Sequence, residues 1–160
     1  MLVEKIKKDL IIHIKSGDKL RTSITRLLLA AIKDKEISLG KNQESEETIS
    51  DNVVLDIIHK MIKQRNLTIK TYIEADRKDL ADKEESEATM LGVYLPAQIS
   101  DKQLKILIGK TLNDLKANSI RDMGKVMKFL KDNHPGSFDF QKASELVKEN
   151  LTKTTNLNKI

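Results

Sequence analysis

The sequence predicts an all-α protein built as two helical bodies. Three observations carry that prediction. Apolar residues recur at spacings of three and four along most of the chain. Composition favours helices over a β-sandwich, with 33% charged residues, 3% aromatics and no tryptophan. One proline-bearing break, Tyr94-Leu95-Pro96-Ala97-Gln98-Ile99-Ser100, parts two long helical patterns. Pro96 has no backbone N–H and drives Leu95 out of helical dihedrals, so a helix ends near Tyr94. Ser100-Asp101-Lys102-Gln103 then reads as a capping box, with Gln103 N–H donating to the Ser100 hydroxyl and the Gln103 side chain reaching back to Ser100 N–H. The expected domains are 1–95, with about four helices, and 96–160, a three-helix bundle. The same break would also serve as an ordinary interhelical loop within one bundle.

The elements follow in order. Val3, Ile6, Leu10, Ile11 and Ile14 fall on one face of a helix over 3–15, which Gly17 stops. Asp18 caps a second helix over 19–38, where Leu20, Ile24, Leu27, Leu28 and Ala31 share a side. Residues 39–47 read as a polar loop. A long helix over 48–75 carries a broad apolar arc, Val54, Ile57, Ile58, Met61, Ile62, Ile69, Tyr72 and Ile73. Asp76 is expected to cap the next helix, 77–94, with Leu80, Ala88, Leu91 and Leu95 facing one way. Past the break, Leu104, Leu107, Ile108, Thr111, Leu112 and Leu115 define a helix over 101–116. Ser119 caps the next, with Ile120, Met123, Met127 and Leu130 inward. Gly124 costs helix stability, which suggests close approach of another backbone. Asn133-His134-Pro135-Gly136 breaks the chain, and Asp139 caps a last helix over 140–151 with Ala143, Leu146, Val147 and Leu151 inward. Residues 152–160 are expected to fray.

At 160 residues the chain can bury a substantial core. With no cysteine it has no disulfide framework and no thiolate metal site. No apolar run approaches the ~20 residues that span a bilayer, so no membrane role is expected. The N-terminus lacks the apolar core of a secretory signal. Glu4, Asp9 and the absence of arginine there argue against a mitochondrial presequence. The expected location is therefore the cytoplasm, with a mitochondrial or other organellar location as the lesser alternative.

The net charge of +5 is unevenly spread. Residues 1–41 hold ten Lys/Arg against five Asp/Glu, residues 42–100 seven against twelve, and residues 101–160 twelve against seven. Two basic ends flank an acidic middle, which suits a polyanion at the ends. On the second helix Lys19, Arg26 and Lys33 recur every seven residues beside the small Ser23 and Ala30. That row can meet phosphates at about one cation per two turns. A solvated lysine-rich surface would look the same. Three charges instead fall within apolar sectors: Arg21, Arg65 and Glu84. The expectation is that Glu84 pairs with one or both arginines across packed helices, because a buried charge needs a partner.

Catalytic patterns are absent. Nothing matches a phosphate-binding glycine loop. His13, His59 and His134 stand apart with no ligand spacing and read as surface or interface histidines. A general-acid Glu84 would need a second carboxylate or a nucleophile, and none is evident beside it. No aromatic series is available to stack bases, so any nucleic-acid contact would be to backbone and shape. No metal, cofactor or small-molecule substrate is expected.

Four stretches resemble the YqeY-like family, which is related to the tail of the B subunit of the tRNA-dependent Asp/Glu amidotransferase (the GatB/YqeY domain). They are Gly17 to Leu27; Lys63-Gln64-Arg65; Arg77-Lys78-Asp79-Leu80 running on to Glu84 and Tyr94-Leu95-Pro96; and Asp122-Met123-Gly124-Lys125-Val126-Met127 with Ala143-Ser144-Glu145-Leu146-Val147. Each is weak alone; as an ordered set they span nearly the whole chain. The resemblance implies an all-helical protein with a C-terminal three-helix unit. It also implies a link to tRNA-dependent amidation, under the family label of a carbon–nitrogen ligase with glutamine as amido donor. The chain has no activating domain and no amidase-type Ser/Lys centre, so the label reads as a relationship rather than a reaction this chain performs alone; an amidotransferase component with a catalytic role is the third reading. The family commonly has a glycine-rich turn before its last helix; here the stretch is His134-Pro135-Gly136-Ser137-Phe138. The expected function is a non-catalytic, tRNA-associated helical module with Lys19, Arg26, Lys33, Lys125 and Lys128 as phosphate contacts. The alternative is a protein-interaction adaptor with no RNA role.

Overall fold

A computed structural model describes residues 1–40 and 49–157, with side chains described through Lys153. The described residues form seven α-helices and one 3-10 turn, with no strand. They are α1 (Leu2–Lys15), α2 (Lys19–Ser38), α3 (Asp51–Glu74), α4 (Lys78–Gly92), α5 (Asp101–Asp114), the 3-10 turn (Ile120–Asp122), α6 (Met123–Asn133) and α7 (Phe140–Leu157). Contacts divide the chain into two compact units that meet in sequence between Leu95 and Pro96.

The first unit is assembled from α1 to α4. Its core holds Val3 and Ile6 from α1, Ile24, Leu28 and Ile32 from α2, Val54 and Ile58 from α3, and Leu91 and Tyr94. Local chemistry sets its helix ends. Gly17, at φ +70°, ends α1 in the left-handed region, and Asp18 N–H donates back to the His13 carbonyl at 3.1 Å. The Asp18 carboxylate then caps α2 by accepting from Arg21 N–H at 2.9 Å. Asp76 does not cap α4, contrary to expectation. At φ +55° it closes the end of α3, where Arg77 N–H donates to the Tyr72 carbonyl at 2.8 Å, a Schellman closure with aspartate where glycine is usual. Arg77 itself precedes α4.

The buried faces are narrower than periodicity suggests. Ile11 and Ile14 of α1 are exposed, as is Leu27 of α2, although each belongs to the apolar face that periodicity gives. On α2 the buried set is Ile24, Thr25, Leu28 and Ile32, a stripe rotated away from Leu20 and Leu27. Ile73 near the end of α3 is 63% exposed. Most of the polar loop assigned to 39–47 lies outside the described residues; Leu39 and Gly40 close α2.

The second unit packs α5, α6 and α7 around Leu104, Ile108, Val126, Met127, Leu130, Phe138, Ala143, Val147 and Leu151. Ser100 and Gln103 form the reciprocal capping box that starts α5. Ser119 and Asp122 do the same for the 3-10 turn, and Asp139 accepts from Gln141 N–H at 2.9 Å to start α7. The turn before α7 is tied to the stretch after Pro96. Ile99 N–H donates to the Ser137 carbonyl at 3.0 Å, and the Gln98 amide donates to the Gly136 carbonyl at 2.8 Å. Three expectations fail here. Ile120 is 46% exposed. A Cβ added at Gly124 would meet nothing within 4 Å, so no backbone approaches it. Finally, α7 runs on to Leu157, where fraying was expected from residue 152.

Candidate nucleic-acid interface

Because Asp18 sets the start of α2, Lys19 occupies its first position and Arg26 follows two turns later on the exposed side. The two cations border an open depression of about 490 Å³ with Thr22, Ser23, Leu27 and Ala30 between them. The small side chains leave room for a ligand backbone to approach. Neither cation forms an ion pair with a described residue, so both charges face solvent. Lys33 is different. Its Nζ lies 3.3 Å from the Glu36 carboxylate, and it does not border the depression. Sequence spacing alone treated the three cations alike; a local acidic residue separates them.

Lys125 and Lys128 are exposed on the first turns of α6. Asp122 sits beside them. N–H groups of Asn118 and Ser119 donate to its carboxylate at 3.0 and 3.1 Å and hold its pKa below the usual range, and Lys125 adds a smaller pull in the same direction. Gly124 beside them is exposed, and a Cβ there would meet nothing within 4 Å.

Of the inward charges, Glu84 reaches Arg65 at the outer limit of an ion pair, Glu87 is the closer partner, and Arg21 stands apart. Arg65, with a side chain only 13% exposed, places Nε and Nη2 at 3.1 and 2.8 Å from a single oxygen of Glu87. Glu84 lies at the margin, 4.0 Å from Arg65 Nε. Arg21 is exposed and reaches back to Asp18, Nε to Oδ2 3.6 Å. The centre is therefore Arg65–Glu87 with Glu84 alongside, and Arg21 belongs elsewhere. Glu84 and Glu87 are one turn apart on α4, and periodicity cannot choose between them.

A second polar cluster was not anticipated. Asp9, His13, Arg21, Thr25 and Tyr94 line a cavity of about 90 Å³ in the first unit. No signal in the sequence joins these positions beyond the one-turn spacing of Asp9 to His13 and of Arg21 to Thr25. Among the described residues no group of three or more His, Cys, Asp or Glu is placed to hold a metal. No helix there is long and apolar enough to cross a membrane.

Comparison with known proteins gives a consistent result. A family model described as Yqey-like protein matches residues 3–151. A protein named altered inheritance of mitochondria protein 41, mitochondrial, from Vanderwaltozyma polyspora is 34% identical over 69% of this chain and 58% of its own length. The protein of the same name from Lachancea thermotolerans is 31% identical over 73% of this chain and 61% of its own. An uncharacterised protein from Schizosaccharomyces pombe is 33% identical over 60% of this chain and 73% of its own. The chain thus spans about three fifths of the length of the first two relatives. The mitochondrial names of those relatives overturn the expectation of a cytoplasmic protein. That expectation leaned on acidic residues at positions 4 and 9. These lie on α1, whose Val3 and Ile6 are buried in the core, so they belong to the folded first unit.

Proposed function

The chain belongs to the Yqey-like protein family, and from that premise we propose that it is a non-catalytic helical module of mitochondria that holds a tRNA backbone in support of tRNA-dependent amidation. The observation that carries this reading is the pair Lys19 and Arg26, free of described carboxylates across an open depression lined by Thr22, Ser23, Leu27 and Ala30. Lys125 and Lys128 supply a second cationic patch on α6. Such cations position a polyanion without reading its bases. The few aromatics leave no platform for base stacking, so contacts run to phosphates.

The test is tRNA binding by the purified chain across a salt series. Four neutralised phosphates give a log–log slope against salt of about −3. Lys19→Glu with Arg26→Glu, or Lys125→Glu with Lys128→Glu, is expected to abolish measurable binding at moderate salt. Salt-independent binding, or none by the parent chain, refutes the reading. The purified chain is expected not to amidate misacylated tRNA with glutamine.

A specific observation also favours a protein-interaction adaptor. Ile11, Ile12 and Ile14 on α1 are 54%, 60% and 49% exposed, and clustered apolar exposure marks contact surfaces. Protein partners that survive nuclease treatment, and are lost with Ile11→Ser and Ile14→Ser, would favour the adaptor over the RNA module.

A further inference from the structure

Three helices of the first unit contribute to the 90 Å³ cavity. Asp9 and His13 stand one turn apart on α1, Arg21 and Thr25 one turn apart on α2, and Tyr94 lies just beyond α4. The volume is several times the ~10–15 Å³ that one water needs. A molecule of several heavy atoms therefore has room.

The polar floor is fixed by hydrogen bonds. Thr25, 2% exposed, donates its single hydroxyl proton to the Arg21 carbonyl at 2.7 Å. Its oxygen is then left to accept from His13 Nδ1 at 3.2 Å. This network assigns the proton to Nδ1 and leaves Nε2 with a lone pair when the ring is neutral. Tyr94 is 9% exposed, with Lys5 Nζ over its ring at 5.8 Å from the centroid. Burial first, and then the Asp9 carboxylate that its hydroxyl meets, push the phenol up to about 12. Leu28 and Met90 add apolar wall.

The two ionised groups are opposite in sign. Asp9 supplies a carboxylate. Arg21 uses one edge on Asp18, and a guanidinium has further N–H donors to offer. A simple anion would gain from Arg21 and be repelled by Asp9; a simple cation would meet the reverse. A molecule bearing both charges satisfies both. We propose that this cavity binds a small zwitterionic amino carboxylate with a short aliphatic body. Its carboxylate lies on Arg21, its ammonium on Asp9, and its aliphatic part against Leu28 and Met90. The site is separate from the cations of the RNA reading and does not depend on it.

The experiment titrates the full chain with L-valine, isobutyrate and isobutylamine, followed by amide chemical shifts. Valine is expected to saturate at millimolar concentrations, while isobutyrate and isobutylamine, each lacking one charge, bind about tenfold or more weakly. Arg21→Gln and Asp9→Asn should each weaken valine by about tenfold or more. The exposed Lys148→Gln in the second unit should leave it unchanged. Circular dichroism and thermal midpoints verify that the variants fold, and Arg21, being exposed, is the safer of the two. The proposal is overturned if valine does not saturate, if isobutyrate binds as tightly, or if both variants bind valine like the parent.

Discussion

In the first unit Arg65 and Glu87 sit at 13% and 15% side-chain exposure and bond across α3 and α4. Thr25 there is buried and bonded to His13 across α1 and α2. In the second unit the one buried polar side chain among the described residues is Thr111, whose hydroxyl donates to the Leu107 carbonyl of its own helix at 2.8 Å. The capping carboxylates and hydroxyls of that unit stand at helix ends, and its interior is hydrocarbon. The first unit therefore depends on polar partners from different helices, which must arrive in register. The second depends on volume. Partnered interior polar groups are costly to keep and costly to orphan. They also provide the oriented donors and acceptors that a ligand site requires, which a dry core lacks.

The largest expected effect falls on the dry side of the contrast. Leu130 is fully buried among the aliphatic residues of the second core. Leu130→Ala should cost about 4 kcal/mol through lost transfer free energy and a residual cavity. Chemical denaturation followed by helicity measures it. A cost under about 1 kcal/mol would mean that this core collapses around the gap, and the contrast would lose its second half.

Next comes the ion pair. Arg65→Ala should cost about 3 kcal/mol, because it orphans Glu87 in a poorly exposed site. Replacing both partners, Arg65→Met with Glu87→Leu, should cost less, since the closer carboxylate is then not orphaned and only the more exposed Glu84 remains. Glu84→Gln should cost less than Glu87→Gln, following the 4.0 and 2.8 Å separations. Equal costs would show that Arg65 is shared between the two carboxylates.

Much of the helical order was legible from sequence because its signals are local. Gly17 followed by Asp18, the Ser100–Gln103 box and Asp139 each act within a few residues, and each operates in the structure. The core of the second unit was legible as well, since Leu104, Ile108, Leu130, Val147 and Leu151 repeat on simple faces. The first unit was harder. Thr25 hides from hydropathy because its hydroxyl is satisfied by the Arg21 carbonyl, so α2 buries a stripe of which projection chose Ile24 and Leu28 but not Thr25. Glu87 was missed because periodicity fixes a face but not the register between two helices. Of the candidate site, the Lys19 and Arg26 row was visible, whereas the pairing of Lys33 with Glu36 was not used. The cavity of Asp9, Thr25 and Tyr94 was invisible, since only tertiary structure brings those positions together.

The smallest effect tests the polar interior by pH. Tyr94 and Tyr72 are the two tyrosines of the chain, so Tyr72→Phe isolates the Tyr94 titration in the ultraviolet. Its midpoint is expected at about 12, against 10.0 for a free phenol, because burial and then the Asp9 carboxylate disfavour the phenolate. The sign follows directly. A folded-state pKa raised above the unfolded one stabilises the fold fully below pH 10, and that contribution is lost as pH climbs through 12. At about 1.4 kcal/mol per unit, and discounted for the open cavity, it amounts to about 2 kcal/mol. Tyr94→Phe should therefore flatten the fall in stability between pH 10 and 12 relative to the parent, while Asp9→Asn alone should bring the midpoint part of the way back toward 10. If the midpoint stays at about 12 in Asp9→Asn, burial alone sets it, and Asp9 then has a carboxylate uncommitted to Tyr94 and open to another donor.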